Sequence, residues 1–471
     1  MEDIILIALI IILFILLTYF IVWLINVYNM SPFTILKKSI YGRYLYFDNN
    51  GTTQPTAEVI EAVSKGMVMG NASGSYAKDA QSTILTLKQK LYEWSGCNEE
   101  DYQIILTSGA SEANNLVIRG IVDASNQSQK IKKLQVRPHV ILSSVEHKTS
   151  IECAKQLENE NRIALTLLPV SIYGTVDPNS IIKYIRPETC LISIMHINNE
   201  TGAVNDVQAI AKIANTHQIF FHTDAVQSFG KYSMNMFQWG IDSMSMTFHK
   251  MYGPVGIGAL VIRRSISKDS DHFVPQIAGT QNDKLRGGTE NMGAINGALK
   301  AMEIAHSNRY EKNKKLLEMK NYIIGRLKEK YNIGLFANYA GKDDKYIPFN
   351  PDTSKKEVVF FGPVDNNGLP LVDKTSPNTI LFTTIKYTNL KDPYSNFCNI
   401  KLKRELEEQN IIVSMGAACS TNLSEPNYIL VAMSAPFICR CGNIRISLGD
   451  FNTMCECKKM CDILIKLIDS Q

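Results

Sequence analysis

The stretch TFHKMYGPVGIGAL, residues 247–260, decides how the chain is read. It closes an apolar, strand-like run, DSMSMTF (242–248), and places His249 and Lys250 at its end. It then breaks at Gly253-Pro254 and resumes as a second apolar run, IGALVI (257–262). A lysine at the mouth of a buried strand, before Gly-Pro, is not the usual solvated surface lysine. The same pattern recurs toward the N-terminus. YQIILTS (102–108) leads into GASEANNLVIRG, HVILSS (139–144) into HKTSIECAKQL, LISIMH (191–196) into DVQAIAKIANTH, and IFFHTDA (219–225) carries Asp224 at its end. Strands alternating with helical segments predict an α/β fold, a mainly parallel sheet covered by helices. Ligands of such sheets bind beyond the carboxyl ends of the strands. Residues 108–111, His147, Asn198, Asn199, Asp224, His249 and Lys250 all fall there.

Three of these points suggest one chemistry. TSGASEANN (107–115) puts glycine and small hydroxyl residues between a strand and a helix, where unpaired backbone N–H groups and the helix dipole favour a phosphate. Alone, the motif reads as well as an ordinary cap, with Ser111 as N-cap. HTDAVQ (222–227) ends a strand with Asp224 and Gln227. A desolvated Lys250 can form a Schiff base with an aldehyde. The aldehyde cofactor that also needs a phosphate cradle and an acid beside its ring nitrogen is pyridoxal 5'-phosphate (PLP). Asp224 as a helix cap and Lys250 as a loop residue are each plausible singly; together, downstream of a phosphate loop, they favour the cofactor.

Composition sets the outer limits. The chain has 471 residues, 45% hydrophobic and 20% charged, enough for two or three domains. A net charge of +4, without basic runs interleaved with aromatics, gives no case for nucleic-acid binding. The cysteines form no regular framework, which suits a reducing compartment. Ile4 to Val27, IILIALIIILFILLTYFIVWLINV, carries no charge and is long enough for a hydrocarbon core of about 30 Å. Trp23 and Tyr28 suit an interface, and Lys37, Lys38 and Arg43 follow while only acids precede. The expectation is a single-pass membrane anchor with the body facing the cytosol.

The ordered motifs identify a resemblance. YFDNNGTTQP (46–55), TSGASEANN, SSVEHKTS (143–150), SIMHINNETG (193–202), HTDAVQS, TFHKMYGPVGIGAL, LRGGTEN (285–291), SMGAACST (414–421) and IRISLG (444–449) occur in the order seen in cysteine desulfurases of the IscS/NifS type. These are class-V PLP enzymes of fold-type I, and the resemblance covers about residues 45–455. It implies a Schiff-base lysine at Lys250 that also moves the Cα proton, Asp224 on the pyridine nitrogen, and His147 stacked on the ring as acid–base. It implies Asn199 and Gln227 on the phenolic oxygen, and Ala110, Ser111, Thr247 and His249 on the phosphate. Thr289 would reach the phosphate of a second subunit, making a homodimer with shared sites. Arg445 would clamp the carboxylate of L-cysteine, and Cys419 would be the nucleophile that takes its sulfur as a persulfide and passes it to an acceptor protein. A loop of Ser, Gly and Ala gives that thiol mobility.

The expected division of the chain is an anchor (1–30), a linker (31–45), a large cofactor-binding domain (60–309) and a smaller α+β domain built from 46–59 with 310–471; the anchor rests on the apolar run and is foreign to the family's ordinary members. Residues 336–378 are read as an insertion. NASGSY (71–76) and AGTQN (278–282) depart from the family pattern, which bears on substrate preference and docking. A selenocysteine lyase, another class-V enzyme or a non-catalytic membrane scaffold are the competing readings. The last predicts loss of Lys250, Asp224 or Cys419, and all three are present. Cys439, Cys441, Cys455, Cys457 and Cys461 match no standard metal spacing and are read as structural, with no metal expected.

Overall fold

A computed structural model describes residues 13–14, 16–20, 44–128, 133, 135–268, 272–306, 309–342, 356–385, 399–415, 427–440 and 442–471. After a two-residue strand, Leu45–Tyr46 (β1), the chain builds a seven-stranded sheet. Its strands are Tyr102–Thr107 (β2), His139–Ser143 (β3), Ala164–Leu168 (β4), Thr189–Ser193 (β5), Phe220–Asp224 (β6), Ser243–Thr247 (β7) and Gly258–Arg263 (β8). Their spatial order is β2-β8-β7-β6-β5-β3-β4. Only β8 runs against its neighbours. The six strands expected from sequence are present, and β4 adds a seventh. β4 is the outer strand and mostly half-exposed, so its sequence lacks the unbroken apolar signature of the central ones.

Both faces of this sheet are covered, and the side-chain alternation shows it. Ile104, Leu106, Ile141 and Val261 enter one apolar cluster; Ile105, Val140, Leu142, Leu260 and Ile262 enter the other. The helices that flank it include Ala57–Gly66 (α1), Lys78–Ser95 (α2), Ala110–Gln127 (α3), Lys148–Asn159 (α4), Val207–Thr216 (α5) and Met292–His306 (α6). α2, α5 and α6 supply the first cluster, through Leu87, Ile210 and Ile295; α3 and α4 supply the second, through Leu116, Val117 and Leu157.

A second sheet, in the order β13-β11-β10-β9, lies in the C-terminal part: Asn332–Gly334 (β9), Glu357–Phe360 (β10), Thr379–Ile385 (β11) and Ile444–Ser447 (β13). Ile411–Ile412 (β12) pairs in parallel with β1. Arg309–Lys330 (α7), Asn399–Glu408 (α8) and Met454–Ser470 (α9) pack on it, and a third cluster forms from Phe47, Leu316, Ile323, Phe360, Phe382, Ile446 and Leu464. Cys457 and Cys461 lie on the inner side of α9 within that cluster, and burial pushes both thiols up to about 12. Cys439 is buried in a fourth cluster, Cys455 is exposed, and Cys441 lies outside the described residues.

Residues 357–378, within the stretch read as an insertion, are ordered. After β10 an Asp365 turn, with the Leu369 N–H donating to Asp365 Oδ1 at 2.9 Å, returns the chain toward the first sheet. There Thr375 bridges Ala203, and the Ser376 N–H donates to the Gly202 carbonyl at 2.8 Å. This segment therefore fastens the loop that carries Asn198 and Asn199. Most of the apolar run 4–27 lies outside the described residues. Leu13, Phe14, Leu16, Leu17, Tyr19 and Phe20 are exposed, and among the described residues no helix is long and apolar enough to cross a membrane.

Candidate active site

The site forms where the carboxyl ends of β2, β6 and β7 meet. Asp224 is the last residue of β6, and β6 pairs with β7, Asp224 opposite Ser245. β7 ends at Thr247 and turns through Phe248–Lys250, which brings Lys250 over the same edge. The reversed strand β8 starts at Gly258, opposite both Thr107 and Thr247. A Cβ on Gly258 would lie 2.6 Å from Gly109 Cα and 2.7 Å from the Met246 carbonyl, so only glycine permits this approach. Gly109 itself has φ 155° and ψ 176°, a conformation almost confined to glycine. The first bond of α3 runs from the Ala113 N–H to the Gly109 carbonyl at 3.1 Å. The amides of Gly109, Ala110 and Ser111 thus precede the intrahelical ladder, next to the Thr247 side of the cradle.

The cradle is braced from behind. Glu112 in the first turn of α3 accepts from Arg286 Nε at 2.7 Å and from the Ser108 N–H at 2.8 Å. Burial opposes the charge on Glu112, but the Arg286 and Ser108 bonds outweigh it and lower its pKa. Thr289 follows Arg286 in the same loop, is exposed, and has no described contact with Lys250 or Asp224.

Asp224 is buried, and its bonds come from neutral donors: Asn114 Nδ2 to Oδ2 at 2.8 Å and the Val226 N–H to Oδ1 at 3.0 Å. Among the described residues no lysine or arginine pairs with it. Asn114 Oδ1 lies 3.2 Å from His222 Nε2, and His222 Nδ1 lies 2.8 Å from Ser243 Oγ. Burial pushes His222 down to about 3, so this relay is neutral.

Lys250 Nζ donates to the carbonyls of Asn50 and Gly51. Gln227 Nε2 donates to the same Asn50 carbonyl at 3.2 Å, and Asn50 Nδ2 donates to the Asn199 carbonyl at 3.0 Å. Arg445, on β13, donates through Nη1 to that Asn199 carbonyl at 3.1 Å and to Glu200 Oε1 at 2.9 Å, and through Nη2 to Asp48 Oδ1 at 2.7 Å. The structure therefore joins Lys250, Gln227, Asn199 and Arg445 through one hydrogen-bonded network. The buried Asn199 Oδ1 has no partner among the described residues.

His249 Nδ1 lies 3.0 Å from Thr52 Oγ1, and burial, with the Lys250 charge, pushes His249 down to about 4. His147 caps α4, with Nδ1 2.9 Å from Thr149 Oγ1, and has no described contact with Lys250 or Asp224. Glu146, before it, accepts from Ser143 Oγ and the Met195 N–H, and burial raises it to about 8. Cys419 lies outside the described residues; the chain approaches it through Ser414, paired with Arg445, and leaves it through Tyr428, whose hydroxyl donates to the Glu146 carbonyl at 2.8 Å. Sequence reasoning missed Asn50, Asp48, Asn114 and Glu200. Each lay inside a quoted motif, but asparagine signals no chemistry alone, and Asp48 and Glu200 act through Arg445, which is distant in sequence.

These residues fit PLP. A buried carboxylate without a cationic partner suits a protonated ring nitrogen, a glycine-lined cradle before a helix suits a phosphate, and Lys250 shares the edge with both.

The profile of the aminotransferase class-V family matches residues 45–360. The chain belongs to that family. Within it the likeness is to cysteine desulfurases: 32% identity to the cysteine desulfurase IscS of Dictyoglomus turgidum, over 91% of this chain and 95% of the relative. The IscS of Methanosarcina thermophila is 31% identical over 91% of this chain and 93% of its own. Among solved structures, one titled SspA in complex with cysteine is 28% identical, with a TM-score of 0.64, covering 87% of this chain and 99% of that one. A NifS-like protein shares the fold, with a TM-score of 0.72 at 24% identity over 91% of this chain and 100% of that chain.

Proposed function

We infer that the chain is a PLP-dependent cysteine desulfurase that converts L-cysteine to L-alanine and keeps the sulfur as a protein persulfide. The observation that carries this is Asp224 and Lys250 on neighbouring strand ends beside the Gly109–Gly258 cradle, in a chain that matches cysteine desulfurases along most of its length. PLP, when bound, supplies an electron sink for the α-carbon of the amino acid. Lys250 would hold it and carry the α-proton. Asp224 would pair with the ring nitrogen. Asn199 and Gln227 would meet the phenolic oxygen; Ala110, Ser111, Thr247 and His249 would meet the phosphate. Arg445 meets the substrate carboxylate with a guanidinium already oriented by Asp48 and Glu200. His147 exchanges protons with substrate.

The Cys419 thiolate attacks the substrate sulfur. The S–S bond forms as the Cβ–S bond breaks; the electron pair stays with the carbon fragment, which takes a proton and leaves as alanine. The persulfide then passes to a sulfur-acceptor protein for iron–sulfur cluster assembly or tRNA thiolation. Thr289 reaches the phosphate across a homodimer. The uncharged run Ile4–Val27, followed by Lys37, Lys38 and Arg43, supports a single membrane anchor with the catalytic body in the cytosol.

Protein loaded with PLP is expected to be coloured and to release alanine and sulfide from L-cysteine in the presence of a thiol. Lys250→Ala is expected to lose both properties. A colourless wild type after PLP loading contradicts the reading. Deleting residues 1–30 is expected to release the protein from membranes with its activity retained; membrane retention argues against the anchor.

A further inference from the structure

Asn50 lies in none of the roles above, yet it is the most connected residue of the site. It is 3% exposed. Its N–H donates to Ser447 Oγ at 2.9 Å; its Nδ2 donates to Thr379 Oγ1 at 2.8 Å and to the Asn199 carbonyl at 3.0 Å. Its Oδ1 accepts from Asn378 Nδ2 at 3.0 Å. Its carbonyl accepts from Gln227 Nε2 and from Lys250 Nζ. Ser447, Asn378 and Thr379 belong to the second sheet and its approach; Asn199, Gln227 and Lys250 belong to loops of the first. One asparagine thus ties the strand carrying Arg445 to the lysine.

We propose that Asn50 is a positioning residue: its side chain fixes the Asn50–Gly51 backbone so that the two carbonyls hold and orient the Lys250 amine, and it sets the Asn199 loop relative to Arg445. The proposal deepens the desulfurase reading and rests on it. A lysine amine has more than one N–H to donate. Donation to two neighbouring carbonyls, those of residues 50 and 51, fixes the direction in which the amine points. A lysine that alternately carries cofactor and proton needs such a rest position, because a four-carbon stem otherwise samples many rotamers. Backbone carbonyls provide it only if their peptides are held still, and the filled amide of Asn50 does this.

The partners of Asn50 have second bonds. Asn378 Nδ2 also reaches the Leu448 carbonyl at 3.1 Å, the Asn199 carbonyl also accepts from Arg445, and Thr379 Oγ1 also donates to Asn378 Oδ1 at 3.3 Å. Truncating Asn50 therefore leaves few buried groups orphaned, and its effect falls on geometry more than on folding.

The test compares wild type, Asn50→Ala and Asn378→Ala as full-length chains. Trace acetic anhydride labels lysines in protein stripped of PLP, and peptide mass spectrometry reads Lys250 against Lys65, an exposed internal reference. Release from an oriented hydrogen bond is expected to raise relative labelling of Lys250 about threefold or more in Asn50→Ala. A smaller rise is expected in Asn378→Ala, which of the bonds to Asn50 removes only the one to its Oδ1. With PLP restored, Asn50→Ala is expected to raise KM for L-cysteine as well as lower kcat, because Asn199 moves too. Unchanged Lys250 labelling in Asn50→Ala, with only a lowered unfolding midpoint, overturns the proposal. A wild type without L-cysteine turnover overturns the desulfurase reading instead, and the labelling comparison still decides whether Asn50 holds the amine.

Discussion

Lys320→Met is expected to stabilise the protein at neutral pH and to erase part of its pH dependence. Lys320 is 1% exposed in the middle of α7. Its Nζ donates to Thr375 Oγ1 at 2.9 Å and to the Ser376 carbonyl at 2.8 Å, and among the described residues no carboxylate pairs with it. Burial pushes its pKa down to about 7. Against an unfolded value of about 10.4, and about 1.4 kcal/mol per unit, the buried charge costs at most about 5 kcal/mol. The folded value lies below the unfolded one, so between about pH 7 and 10.4 the unfolded chain binds more protons and stability rises with pH. Below that window the penalty is complete. Methionine fills the same volume, removes the penalty and loses two hydrogen bonds worth about 1 kcal/mol each. The net expectation is a variant more stable by about 2–3 kcal/mol at pH 6.5 and level with wild type near pH 9. Urea unfolding of PLP-loaded protein at both pH values measures this. A variant less stable by the same amount at both would show Lys320 acting only through its hydrogen bonds, with no penalty for the buried charge.

Other substitutions probe the site. Gly258→Ala drives a Cβ into backbone on both sides; it is expected to lower stability by about 1–3 kcal/mol and to weaken PLP retention about tenfold, read by dialysis of loaded protein. Arg445→Lys keeps the charge but loses the fork shared by Asp48 and Glu200, so KM for L-cysteine is expected to rise about tenfold or more; an unchanged KM removes Arg445 from the substrate. Tyr428→Phe deletes the bond to the Glu146 carbonyl, and is expected to slow sulfur transfer to Cys419 while the visible PLP spectrum stays as in wild type.

The strand ends were legible because burial and chemistry coincide there. An apolar run terminating in Asp224, or in His249 and Lys250, states both where the sheet stops and what sits at its edge. The half-exposed outer strand β4 lacked that contrast. Residues 357–378 looked loose because Asp, Asn and Pro dominate them, yet Asp365 builds a turn and Thr375 docks on Ala203. The network around Asn50 was invisible for a different reason. Its partners lie 149 to 397 positions away, and asparagine signals no chemistry by itself. The role expected of Arg445 came from the family resemblance alone, and its attachment to Asp48, 397 positions earlier, was not legible.

The central claim is that L-cysteine gives its sulfur to Cys419 on a scaffold organised by Lys250 and Asp224. Mass spectrometry of the Cys419 peptide after one turnover of L-cysteine, without added thiol, tests it most directly. One added sulfur is expected on Cys419 in wild type and none in Lys250→Ala. In Cys419→Ser no persulfide is expected anywhere on the chain while the PLP colour persists. A persulfide on another cysteine, or full sulfide release by Cys419→Ser, would contradict that claim.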